Sequence, residues 1–154
     1  MPWVTKPSRL TMLTARFVWV FKRAFYSRSI WEGPLIKFTV FNYYYCDASN
    51  YKAWGSLLLQ GLASISDIED LRNRLDSNEF FIAEQLGVPP LYAELWELSN
   101  GPSDDDHVWH SLYELRPAVG DETTGKVFDT VENLISKIRA VKSWNETLSP
   151  HWSS

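Results

Sequence analysis

From Leu35 onward apolar and polar positions alternate: Ile36, Phe38 and Val40 are separated by Lys37 and Thr39, and the run continues through Phe41, Tyr43, Tyr44 and Tyr45. A period of two in β-branched and aromatic residues predicts a strand, because successive side chains leave a strand on opposite faces. Cys46-Asp47-Ala48-Ser49-Asn50 is polar and turn-prone, and Tyr51 to Leu59 supplies a second apolar run ending at Gly61. Together these runs predict a β-hairpin.

The period then changes. Ser66 and Glu69 have the reciprocal capping-box spacing, and Ile68, Leu71 and Leu75 mark one helical face. Phe80 to Pro90 is apolar but broken by Gly87 and two prolines, which predicts a packed loop. Leu91 to Leu98 is read as a strand, although Leu91, Leu95 and Leu98 also fit a helix. Asn100 to Ser103 and three aspartates separate it from Val108 to Leu115, so the two segments are expected to form a second hairpin. Asp129 and Glu132 repeat the capping spacing ahead of Val131, Leu134, Ile135 and Ile138, a second amphipathic helix. Lys137, Arg139 and Lys142 lie where positive charge suits a helix C-terminus.

The expected fold is α+β: an antiparallel sheet from two β-hairpins with two amphipathic helices on one face, in the order ββαββα. It occupies residues 34–145, behind a basic extension over 1–33 that the fold can dispense with and ahead of a tail, 146–154, expected to fray.

Charge sets the extension apart. Met1 to Trp31 contains six basic residues and no acid, which leaves nine basic against nineteen acidic residues for the remainder. Leu10, Leu13, Phe17, Val20 and Ala24 recur at helical spacing, so the segment predicts a basic amphipathic helix. Arg16 and Lys22-Arg23 interrupt the run of about 20 apolar residues that a membrane span requires, and they equally break the core of a secretory signal. Such a helix suits anionic lipid, the phosphates of a nucleic acid or an organelle transit signal.

The chain has 154 residues, enough for one core, and contains eight Trp, seven Tyr and eight Phe. That is more aromatic surface than such a core needs, and Tyr and Trp suit surfaces where one end stays wet. Cys46 is the only cysteine, so a disulfide-stapled scaffold is excluded and a reducing cytosol fits best.

Three groups invite chemistry. Tyr43, Tyr44, Tyr45, Tyr51 and Trp54 flank one turn, and those outside the core form a rigid platform suited to recognition. Asp104, Asp106, His107 and His110 combine carboxylates and imidazoles that can hold a divalent metal and activate water. On a strand, however, His107 and His110 point to opposite faces. Cys46 beside Asp47 is a thiol nucleophile only if a histidine folds onto it. Glu79, Glu84, Glu94 and Glu97 read as solvated acids rather than an acid–base pair. There is no phosphate-binding glycine loop, dinucleotide fingerprint, GxSxG or HExxH pattern.

The expected function is therefore a small soluble, cytoplasmic partner-binding or regulatory domain of bacterial type, without catalytic activity or cofactor, engaging a protein partner through the aromatic hairpin. One alternative is a metal-dependent hydrolase built on the Asp104 to His110 cluster. The other is contact with membrane or nucleic acid through residues 1–31.

Overall fold

The computed structural model describes residues 37–152. The basic amphipathic segment, and the lipid, nucleic-acid and targeting readings placed on it, lie outside the described residues. Strands β1 (Phe38–Cys46) and β2 (Lys52–Gln60) form the expected antiparallel hairpin, with Tyr43 opposite Gly55 and Tyr44 opposite Trp54. Asn50 closes the turn at a positive φ of 69°, a conformation that Asn tolerates better than most residues. Helix α1 (Ile65–Arg74) follows, then β3 (Phe80–Ile82), α2 (Ala83–Leu86), α3 (Tyr92–Ser99), β4 (Trp109–Pro117), β5 (Val127–Thr130) and α4 (Val131–Ala140).

These strands make one five-stranded sheet in the order β3-β4-β1-β2-β5. All neighbours are antiparallel except β2 and β5. Alternation along β1 sends Phe41, Tyr43 and Tyr45 into the core, with Ala53 and Leu59 of β2. Leu71 and Leu75 at α1, Leu86 of α2, Tyr92 of α3, and Leu134, Ile135 and Ile138 of α4 belong to the same buried cluster, so the helices cover this one face. The α+β class and the packing of α1 and α4 follow the expectation from periodicity. No helix among the described residues is long and apolar enough to cross a membrane.

Local structure departs from expectation in three places. Leu91 to Leu98 is not a strand: residues 92–99 are α3, which ends where Asn100 enters the left-handed region at φ 60° and its N–H reaches the Trp96 carbonyl. The antiparallel partners of β4 are therefore β1 and β3, and the latter lies in the segment read as a loop. That segment needs no long helix to satisfy its backbone, because β3 pairs with β4 and the single turn of α2 stops at Gly87, φ 68°. Within residues 145–152 the chain packs back onto the domain: Ser149 is buried and Trp152 packs against the core cluster.

A bulge in β4 shapes the sheet's other face. Asn42 pairs with Glu114 but the next residue, Tyr43, pairs with Leu112, which leaves Tyr113 as the extra residue. Leu112 and Leu115, three apart, are consequently both buried, while Tyr113 stands exposed.

Candidate functional site

The five hairpin aromatics separate by face. Tyr43 is buried, with its ring against Phe41 and Phe81, and its hydroxyl donates to the Pro89 carbonyl at 2.7 Å. Tyr45 is also buried; its hydroxyl donates to Asp106 Oδ1 at 2.7 Å and accepts the His107 N–H at 3.1 Å. Burial raises the pKa of both phenols far above the ordinary range, so both are neutral donors. These two tyrosines hold loops to the sheet from inside the core.

Tyr44 and Trp54 point the other way. Their rings lie 4.9 Å apart between centroids, and Tyr113 meets Trp54 edge-on at 5.3 Å. Trp54 and Tyr113 are each 55% exposed, and Tyr44 is half-buried with its hydroxyl donating to Glu79 Oε1 at 3.0 Å. Lys52 Nζ sits 5.8 Å from the centre of the Tyr44 ring, a cation–π distance. Tyr51 is at the hairpin tip, 67% exposed, three residues before Trp54. The three rings thus form a continuous cross-strand row over β2, β1 and β4.

Parts of the same face beside the row are covered or paired. Val40 and Leu58 are buried, and Gly125 lies against Leu58. Arg116 pairs with Glu114 at 3.0 Å and with Glu122 at 2.7 Å, while Asn42 donates to Glu114. Arg116 lowers the pKa of Glu122 to about 2 and also lowers that of Glu114, whose main cause is the Asn42 hydrogen bond. The aromatic row is therefore an open, apolar part of the face, with exposed Ser56 also on it.

The acidic and histidine-containing turn does not assemble a metal site. His110 is fully buried, its Nδ1–H bonds the Val108 carbonyl at 3.0 Å and its Nε2 accepts the Leu91 N–H at 2.9 Å. Both ring nitrogens are thus used, and burial lowers the pKa to about 4. Asp106 accepts from Tyr45 and from the Ser103 N–H at 2.7 Å, which organises its own loop. The His107 ring packs edge-on against Tyr45, and its Nδ1 accepts the Trp109 N–H at 3.2 Å. Asp104 is exposed in the same loop. No group of three or more His, Cys, Asp or Glu side chains is placed to hold a metal among the described residues.

The remaining candidates also resolve into structural roles. Cys46 is half-buried, and its Sγ hydrogen-bonds within its own turn, to Asn50 Oδ1 and the Asp47 carbonyl at 3.5 Å. Glu79 binds Tyr44, and Glu84 Oε1 accepts from Tyr92 at 2.6 Å and Ser149 at 2.9 Å. Glu94 and Glu97 are exposed on α3. Glu79 and Glu84 are thus tied to different partners, and Glu94 and Glu97 face solvent.

Comparison with protein-family models, with curated proteins and with solved structures finds no match for this chain. The reading of the site rests on its own geometry. Tyr113 is the member of the row that alternation alone does not identify. Its signal is the spacing of three between Leu112 and Leu115, two apolar residues that can share the core face of one strand only across a bulge.

Proposed function

We propose that this domain binds a protein partner through the outer face of its sheet, with Trp54 at the centre and Tyr44 and Tyr113 beside it. The observation that supports this most is the unbroken row of Tyr44, Trp54 and Tyr113, with two of its rings more than half exposed where neighbouring parts of the same face are covered. Tyr and Trp give large contact area for only two side-chain torsions each, and such residues dominate the affinity of interfaces. Mutual packing and the Glu79 bond already fix the Tyr44 ring, so little freedom is lost on binding.

Ordinary cross-strand packing also uses aromatic rows, and it contributes roughly 0.2–1 kcal/mol per pair to the fold. Binding and packing are separated by a photo-crosslinking residue placed at exposed Ser56, on this face, and at exposed Asn73 on α1 as control. Irradiation in the source cells is expected to give a discrete protein adduct from position 56 that Trp54→Ala abolishes. Equal adducts from both positions, or an adduct indifferent to Trp54→Ala, count against this surface.

A further inference from the structure

A second surface lies at the tip of the same hairpin. A cleft of about 420 Å³ opens between the β1–β2 turn and the loop joining α3 to β4. Tyr51 and Leu98 line it, and they are 67% and 82% exposed, while half-buried Trp96 and Leu95 add further apolar surface. Asp47, Asp105 and Asp106 supply its charge.

The walls are tied together before any partner arrives. The Ala48 N–H donates to the Asp105 carbonyl at 3.0 Å, and Ser49 Oγ donates to Asp105 Oδ2 at 2.5 Å. Asp47 Oδ1 accepts the Tyr51 N–H at 2.8 Å. Each of these two carboxylates spends one oxygen on the loop, and its charge stays at the rim of the cleft.

The charged residues that line the cleft are all acidic. Residues 75–115 contain nine acidic residues and neither Lys nor Arg, and two of the nine, Glu94 and Glu97, are exposed on α3. Lys52, next to Tyr51, is directed instead to the Tyr44 ring on the outer face of the sheet. No three of the cleft's carboxylates are placed to hold a metal ion among the described residues. What complements exposed apolar walls beside unneutralised carboxylates is a side chain with a long apolar stem and a cationic head.

We propose that this cleft docks a basic segment of a protein partner, in which an Arg or Lys head meets Asp47 and Asp105 while its stem and an apolar neighbour pack on Trp96, Leu98 and Tyr51. The preformed walls limit the ordering that binding requires, and the acidic surroundings accelerate encounter with a cationic partner. This surface is independent of the Trp54 row, and the two are tested by different substitutions.

The test is selection of a displayed library of twelve-residue peptides on the full chain, followed by affinity measurement of the enriched peptides. Selected peptides are expected to carry Arg or Lys beside Leu, Ile or Phe. They are expected to lose about tenfold or more in affinity in the Asp47→Asn/Asp105→Asn double variant, which keeps the loop acceptors but removes both charges. Leu98→Ser is expected to weaken the same peptides, and its exposure makes loss of folding an inadequate explanation. Trp54→Ala is expected to leave them unchanged. Absence of enrichment for basic residues, or affinity indifferent to both the charge variant and Leu98→Ser, overturns the proposal. Loss on Trp54→Ala alone transfers the peptides to the outer face and overturns it equally.

Discussion

His110 caps a helix from the middle of the sheet: its Nε2 accepts the backbone N–H of Leu91, the residue immediately before α3, at 2.9 Å. Only the neutral ring can do this while Nδ1–H bonds the Val108 carbonyl. Protonation breaks the bond and places a charge among Tyr43, Phe81 and Tyr92. The pKa falls from its ordinary 6.5 to about 4, with burial as the main cause. The unfolded chain therefore binds this proton first as the pH falls, so stability is full above about 6.5 and is lost toward 4. Denaturant unfolding at pH 7 and pH 5 is expected to differ by about 2 kcal/mol, the wild type being weaker at pH 5. His110→Gln is expected to be weaker at pH 7 but to show a much smaller difference. A wild type equally stable at both pH values defeats this assignment.

Gly55 is fixed by its cross-strand partner rather than by its backbone angles. A Cβ at this position falls 2.6 Å from the Cε1 and Cζ atoms of Tyr43, whose hydroxyl is held by Pro89. The ring cannot swing away without breaking that bond and disturbing Phe41 and Phe81. Gly55→Ala is expected to destabilise by roughly 1–3 kcal/mol, the range of core overpacking. Combining it with Tyr43→Leu tests the mechanism in a double-mutant cycle: the two costs are expected to sum to more than the double variant loses. Strict additivity would show that the clash is relieved elsewhere.

The hairpin was legible because alternation and turn composition agree over Phe38 to Gln60. The two long helices were legible from their apolar faces, but their caps were misplaced by a residue or two. Ser64 caps α1 with Asp67 in the reciprocal box, inside which Ser66 and Glu69 are ordinary helical residues. Thr130, not Asp129, caps α4 by accepting the Asn133 N–H. Helix α3 is not legible because Leu91, Leu95 and Leu98 satisfy a short strand as readily as two helical turns, and the acceptor for the Leu91 N–H at its start is distant His110. The site was half legible for a related reason. Alternation separates Tyr44 from Tyr43 and Tyr45, yet which face the helices cover, and the bulge that turns Tyr113 outward, are properties of the assembled sheet.

Aromatic substitutions on the two faces of the hairpin are expected to differ in kind. Trp54→Ala removes a half-exposed ring whose contacts are Tyr44 and Tyr113, and it is expected to cost no more than about 1 kcal/mol. Tyr45→Phe keeps the ring but takes the hydroxyl donor from Asp106 Oδ1 and the acceptor from the His107 N–H. It is expected to cost roughly 1–3 kcal/mol. Thermal or denaturant unfolding of the two variants measures the difference. A Trp54→Ala variant as damaged as Tyr45→Phe would make the outer row part of the fold's own support and weaken the binding proposal.

The C-terminal stretch is expected to belong to the folding unit, because its contacts return to three separate elements. Ser149 Oγ donates to Glu84 at 2.9 Å, beside the Tyr92 hydroxyl that shares the same oxygen. Glu146 accepts the Trp109 indole N–H at 2.9 Å, and Trp152 packs edge-on against Tyr92 at 5.0 Å. Removing residues 146–154 uncovers the Tyr92 ring and ends both hydrogen bonds. The expected loss is about 2–4 kcal/mol, within the range of a large core truncation. Ser149→Ala alone is expected to lose about 1 kcal/mol, the scale of one buried hydrogen bond. Denaturant midpoints decide between this and a frayed tail, which predicts that both variants unfold with the full chain's midpoint. The smaller variant also bears on mechanism. If the truncation destabilises but Ser149→Ala does not, apolar cover of Tyr92 holds the segment, and the Glu84 bond contributes nothing measurable.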